Sequence, residues 1–160
     1  MKIGVVSDTH IPIRTKNLPQ QVVKGLEGVD LILHAGDLVD EEVIWLLEEI
    51  APVEAVAGNV DPWDLQGKLG LKKILELNGF KIGLTHGHGG GRGTTVERAL
   101  LAFTNVDCIV FGHSHQPYNQ FHNGVLLFNP GSSTDRRREP RFSYGLLYLG
   151  DKIRGEIIYF

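Results

Sequence analysis

Cysteine is nearly absent from this chain: one residue, Cys108, in 160. A lone thiol closes no internal disulfide, so the fold must rest on its core, and a chain of this length can bury one. Cys108 lies in the run Val106-Asp107-Cys108-Ile109-Val110-Phe111, which reads as the interior of a strand and makes the thiol a buried, inert group. An excess of positive charge is missing too. Sixteen Lys and Arg against nineteen Asp and Glu leave a net charge of −3, which excludes a protein whose main task is gripping nucleic acid through a basic face. A small nucleotide or a nucleic-acid end stays open as a substrate. No apolar run approaches membrane-spanning length. Met1-Lys2-Ile3-Gly4-Val5-Val6 meets Ser7-Asp8 too soon to serve as a signal peptide. Repeats, linkers and low-complexity tracts are lacking as well. A cytoplasmic protein of a single domain, residues 1–160, is expected.

What is present is an alternation of short β-branched runs with amphipathic segments, the pattern of an α/β domain. Strands are expected at Ile3–Ser7, Leu31–His34, Val53–Ala57 and Asp107–Phe111, with a helix at Leu18–Leu26. Asp40 reads as the N-cap of a second helix with Glu41 and Glu42 in its first turn. Val43, Leu46, Leu47 and Ile50 share one face of it, and Pro52 ends it. Residues 62–72 read as a loop or a short turn of helix. Ile74–Leu77 and Lys81–Thr85 form a hairpin through Asn78-Gly79. Thr94 and Glu97 make a capping box before a helix that turns Val96, Leu100 and Phe103 inward. Tyr118–Phe121, Val125–Phe128, Ser143–Leu149 and Ile153–Tyr159 complete the chain as strands.

The informative polar residues stand where those strands end. Ile3–Ser7 is followed by Asp8 and His10, Leu31–His34 by Gly36-Asp37, and Val53–Ala57 by Gly58-Asn59-Val60-Asp61. Ile82–Thr85 is followed by His86, and Cys108–Phe111 by Gly112-His113-Ser114-His115. Ligand sites of open α/β sheets lie beyond the carboxyl ends of the strands, so five exits deliver Asp, Asn and His to one region. Any one of these residues alone is an ordinary turn residue or a hydrogen-bonded histidine. Core packing gives no reason for the arrangement to recur five times. Asp8, His10, Asp37, Asn59, His86, His113 and His115 are too many ligands for one divalent ion and suit two ions about 3.5–4 Å apart that share a carboxylate. Mixed imidazole and oxygen donors without thiolate point to Mn, Fe, Zn or a similar ion, not to calcium or a closed structural zinc site.

Asp8-x-His10, Gly36-Asp37, Gly58-Asn59-x-Asp61, His86 and Gly112-His113-x-His115 resemble, in order, the five signature blocks of the calcineurin-like metallophosphoesterases. The short length and Asn129-Pro130-Gly131-Ser132 are similar to the family's small prokaryotic phosphodiesterase branch. The resemblance implies two mixed β-sheets packed face to face and flanked by helices. It implies one metal on Asp8, His10, Asp37 and His115, and another on Asp37, Asn59, His86 and His113, with Asp37 shared. It further implies a phosphodiesterase that attacks phosphorus in line with a hydroxide held between the metals. Manganese is the expected ion, with iron, zinc, nickel or magnesium as alternatives. Expected partners are a small phosphoester and, as an open option, a second copy of the chain, but no membrane and no extended nucleic-acid surface.

Asn59, His86, Asp61 and His88 are the residues expected to take part in catalysis. Val60 departs from the best-known catalytic members, which place a histidine there as the leaving-group acid. Asp61 is the obvious replacement acid, although two cations beside it would hold its carboxyl ionised, and orienting a neighbouring ligand suits it better. His88 could touch substrate or support a ligand. His34 reads as a satisfied core histidine and His122 as solvent-exposed. The glycine-rich run Gly87–Gly93 with Arg92 lacks the Gly-Lys-Ser/Thr ending of a P-loop. Arg136-Arg137-Arg138 reads as a solvated loop or a substrate contact at the site mouth. Two rival functions remain: a non-catalytic scaffold, as in the family's retromer subunit, and a nuclease. Neither fits as well, because every ligand position is filled and the capping segments and basic surface of the nucleases are missing.

Overall fold

Period-two patterning builds the first strand. In β1 (Lys2–Val6), Ile3 and Val5 face one way and Gly4 and Val6 the other, and all four are buried. The chain then runs through α1 (Gln20–Leu26), β2 (Leu31–His34), α2 (Glu42–Glu48), β3 (Val53–Ala55), α3 (Trp63–Leu69), β4 (Lys72–Leu77) and β5 (Phe80–Thr85). It continues with α4 (Thr95–Leu101), β6 (Cys108–Val110), β7 (Tyr118–His122), β8 (Val125–Asn129), β9 (Ser143–Leu149) and β10 (Ile153–Tyr159). This computed structural model describes residues 1–89 and 91–160. Gly90, inside the glycine-rich run singled out above, lies outside the described residues.

The strands form two five-stranded mixed sheets, ordered β10-β9-β1-β2-β3 and β4-β5-β6-β8-β7. In the first, β1, β2 and β3 are parallel; in the second, β5, β6 and β8 are. Ile3, Val5 and Leu33 of the first sheet meet Ile82, Leu84, Val110 and Phe128 of the second in one buried layer. The opposite face of the first sheet, through Val6, Ile32 and Leu146, packs on Val22 and Leu26 of α1 and Val43 and Leu47 of α2. The opposite face of the second, through Ile109, Phe111 and Leu127, covers Ala99 of α4. This is the expected sandwich flanked by helices, an α/β fold. No helix among the described residues is long and apolar enough to cross a membrane.

Several local expectations are corrected. Residues 63–69 form a complete helix. The strand expected to reach Ala57 is paired only to Ala55. Glu41 is the N-cap position of α2, but it makes no side-chain cap bond. Asp40 Oδ1 instead accepts from the Glu42 N–H at 2.9 Å, capping the turn before the helix. Val96 and Phe103 pack inward at α4 as expected, but the fully buried position is Ala99 and Leu100 is exposed. His122 is half-buried, its Nε2 2.6 Å from the Tyr118 hydroxyl. Cys108 is wholly buried, and burial pushes its thiol pKa far up, as an inert core residue requires.

Candidate metal centre

Parallel strands bring their carboxyl ends together. The exits of β1, β2 and β3 carry Asp8, His10, Asp37 and Asn59 from one sheet, and those of β5 and β6 carry His86, His113 and His115 from the other. Asp8, His10 and His115 offer ligand-type atoms that all lie within 4.8 Å of one another, and Asp8, Asp37 and His86 do the same. Asn59 Oδ1 stands 3.2 Å from His86 Nε2, and the His113 ring lies 5.1 Å from the His86 ring. All seven residues singled out in the sequence therefore meet.

The turns that place them are strained. Asp8, His10, Asp37, His113 and His115 all adopt positive φ, between 47° and 67°. Non-glycine residues occupy that region rarely, and it costs about 1–3 kcal/mol each. Close approach also requires glycine at two neighbouring points. A Cβ on Gly58 would lie 2.0 Å from Asp37 Oδ1, and one on Gly112 would lie 1.9 Å from Ser7 Oγ.

Hydrogen bonds fix which ring nitrogens face the centre. His86 Nδ1 lies 2.7 Å from the Ala35 carbonyl, and His115 Nδ1 bonds the Asp135 carbonyl. A carbonyl only accepts, so both Nδ1 atoms carry hydrogen and, in neutral rings, both Nε2 atoms present lone pairs. His115 Nε2 faces Asp8 Oδ1 at 3.3 Å, and His86 Nε2 faces Asp37 Oδ1 at 3.3 Å and Asp8 Oδ1 at 3.9 Å. His10 Nε2 lies 3.3 Å from His115 Nε2 and 3.7 Å from Asp37 Oδ2. Asp8 Oδ2 accepts from the Ser7 hydroxyl and from the His113 N–H, whereas Asp8 Oδ1, fully buried, receives no hydrogen bond among the described residues. In neutral rings the Nε2 lone pairs of His86 and His115 thus converge with the Asp8 and Asp37 oxygens, and ring protons or a cation relieve that crowding. Asp37 turns Oδ1 toward His86 and Oδ2 toward His10, standing between the two groups.

Protonation equilibria express the same demand. Burial alone would raise the Asp37 carboxyl, but the hydrogen bond and charge of His86 bring it down to about 2. Burial opposes ionisation of Asp8 as well, and His115 and His86 more than offset it, so that pKa falls. His86 and His115 rise despite burial, because Asp37 and Asp8 respectively favour their charged forms. His113 falls to about 4 through burial and the neighbouring His86. A divalent cation would replace these protons, and the donor set of carboxylates, imidazoles and one amide suits it.

Asp61 and His88 stand apart from the cluster. The Asp61 carboxylate is spent on backbone: Oδ2 accepts from Gly58 N–H at 2.7 Å and Asp37 N–H at 3.1 Å, and Oδ1 from Val39 N–H at 2.6 Å. His88 is half-buried, its ring 5.3 Å from that of His86, with a buried Nδ1 that makes no hydrogen bond among the described residues. His34 is satisfied as expected: its Nδ1 accepts from Gly36 N–H, and its Nε2 meets Thr9 Oγ1 at 3.0 Å. Arg136 donates to the Glu139 carbonyl, and Arg137 and Arg138 are exposed. The sequence reading missed Asp135, whose carbonyl orients His115. Only its position after Ser132-Ser133-Thr134 could have hinted at it, since Ser132 and Thr134 hydroxyls bond the Asp8 carbonyl and bring the segment in.

Comparison with known proteins agrees with this geometry. Residues 1–152 match the calcineurin-like phosphoesterase superfamily domain. The chain is 38% identical to the probable metallophosphoesterase of Methanothermobacter thermautotrophicus over 99% of its own length and 92% of that protein's. It is 30% identical to a phosphodiesterase of Methanocaldococcus jannaschii over 82% and 83% of the two chains. The fold superposes on wild-type Vps29 of Entamoeba histolytica complexed with Zn²⁺, with a TM-score of 0.78, 27% identity and 99% of each chain covered. The chain belongs to the calcineurin-like phosphoesterase superfamily.

Proposed function

We propose that this chain is a phosphodiesterase working with two divalent ions, one on Asp8, His10, Asp37 and His115 and the other on Asp37, Asn59, His86 and His113. The observation that carries the reading is the buried convergence of lone pairs around Asp8 Oδ1, an oxygen without a hydrogen-bond donor among the described residues. The similarity to a phosphodiesterase and to a zinc-bound relative supports it. Bound ions would supply Lewis acidity and lower the pKa of water for in-line attack on phosphorus. The protein's own part is positional. Ala35 and Asp135 carbonyls hold His86 and His115 in the tautomer that points Nε2 inward. Asp37 spans the two groups, Asn59 brings an amide oxygen from the third exit, and Val60 has a hydrocarbon side chain that offers no proton. Manganese is the expected ion, and the substrate is a small phosphoester.

The test is metal analysis and hydrolysis of bis(p-nitrophenyl) phosphate after reconstitution with Mn²⁺. Close to two ions per chain are expected, with activity lost on chelation and reduced about 10³-fold or more in Asp37→Asn, which weakens both ligand groups. His88→Ala should lose far less. Saturation at one ion, or equal activity of the two variants, would sink the assignment. Exposed Trp45 and Trp63, 59% and 89% accessible, favour a protein-docking role as the second reading. That role alone predicts no metal-dependent turnover.

A further inference from the structure

Beside His88 opens a cavity of about 400 Å³, within the range of small-molecule sites. We infer that it receives one ester arm of the substrate, and that this arm is a planar unsaturated ring, either aryl or nucleobase. The inference deepens the phosphodiesterase reading and rests on it.

Position comes first. His88 lines the cavity, and its ring lies 5.3 Å from that of His86 and 6.3 Å from that of His113, so the cavity borders the metal centre. A phosphorus atom held there puts a directly attached group within reach of the cavity. Chemistry comes second. Leu71, Leu101 and Ala102 give hydrocarbon walls, and the two leucines are 48% and 78% accessible. Large apolar side chains so placed gain by covering an apolar ligand. The cations at its edge are Lys72 and Arg98. The Arg98 guanidinium is pinned by Nε donating to the Gly87 carbonyl at 3.1 Å and Nη2 to Thr95 Oγ1 at 3.3 Å. A fixed planar cation favours stacking by a flat π-system over an aliphatic chain. Among the described residues no carboxylate lines the cavity, so none of its walls repels an anionic phosphoester.

Two other cavities lack this combination, and a third, at Lys73, Ile74 and Phe103, is lined by none of the residues that gather at the strand exits. One of about 380 Å³ is lined by Asp40, Glu41 and Asp64, which repel a phosphoester. Another of about 350 Å³, at Arg136–Arg138, has charge but no hydrocarbon wall.

Calorimetric titration of the Mn²⁺-loaded protein with non-hydrolysable phosphonates tests the inference. Phenylphosphonate should bind about tenfold more tightly than methylphosphonate, the order expected for burying most of one ring. Cyclohexylphosphonate should fall between them, because it covers the leucines without stacking on Arg98. Leu101→Ser and, separately, Leu71→Ser should erase the preference for phenyl while leaving methylphosphonate affinity unchanged, because neither adds charge. Both side chains are exposed, so neither change threatens the fold. Competition between phenylphosphonate and the phosphonate analogue of adenosine monophosphate tells which ring the cavity prefers. Equal affinity for phenyl and methyl compounds in the wild type, or a preference that survives both variants, would overturn the inference while leaving the phosphodiesterase reading intact. Failure of methylphosphonate itself to bind would remove both.

Discussion

Asp61 sends no atom to the metal-facing cluster, yet it decides where Asp37 stands. Its two oxygens gather the N–H groups of Gly58, Asp37 and Val39, locking the second strand exit to the third. Val39 accepts φ of 80° in that lock, a costly value for a β-branched residue. Asp61→Asn turns an amide N–H₂ toward backbone donors. It should weaken metal affinity about 10–100-fold, as supporting residues of metal sites do, although it removes no ligand. Calorimetric metal titration checks this, and unchanged affinity would refute the role. The neighbouring Val60 has a different consequence. Its N–H serves Asp37 Oδ1 at 3.1 Å, and its side chain offers no proton. Diesters with good leaving groups should turn over well, and rates should fall steeply as leaving-group pKa rises, since general acid catalysis is worth about 10²–10⁴-fold. Val60→His should flatten that dependence. A flat dependence in the wild type would reveal some other acid.

At the scale of elements, the two sheets meet closely around one ring. Phe128 of β8 is fully buried, and a Cβ on Gly145 of β9 or on Gly155 of β10 would come within 2.4 Å or 2.6 Å of it. Gly145→Ala should therefore destabilise by about 1–3 kcal/mol through overpacking, lowering the urea midpoint without changing kcat at saturating metal. An unchanged midpoint would show that the ring can step aside. Other elements could be read from the sequence because local chemistry decides them. Asn78-Gly79 closes the β4–β5 hairpin, and Thr94 and Glu97 form both bonds of the capping box. Helix α3 was illegible for physical reasons. It starts after Pro62 with no side-chain cap, its leading Trp63 points into solvent, and only Leu65 and Leu69 mark its apolar side, too few to set a period. The clustering of the candidate ligands was legible because strand exits repeat. The left-handed backbone of five of them was not, because Asp and His favour that region only weakly and most of them elsewhere in a chain do not adopt it.

For the molecule as a whole, buried histidines set the response to acid in the metal-free protein. His34 is held to about 3 by burial, and its Nδ1 already accepts from a backbone N–H. The unfolded chain takes up this proton below about pH 6.5 while the folded one refuses it, so stability falls as pH falls, by up to about 1.4 kcal/mol per unit. His113, held to about 4 by burial and His86, adds in the same direction. His86 and His115, shifted upward, act at higher pH: they contribute stability below about 6.5 that is lost as pH rises through their folded values. Between pH 6 and 4.5 the depressed histidines therefore govern. Urea unfolding at several pH values in that window should show a falling free energy, with a shallower slope in His34→Asn. A flat profile would contradict it.

The division of the candidate ligands between the sheets has one more effect. Asp8, His10, Asp37 and Asn59 come from one layer, and His86, His113 and His115 from the other. An ion held by both layers acts as a rivet through the sandwich. A half-folded chain with only one sheet in place lacks the second set of donors, so the ion prefers the closed form and its binding energy becomes folding energy. The grip of the two layers on each other then scales with the logarithm of free metal concentration, and metal supply becomes a control on how long the fold persists.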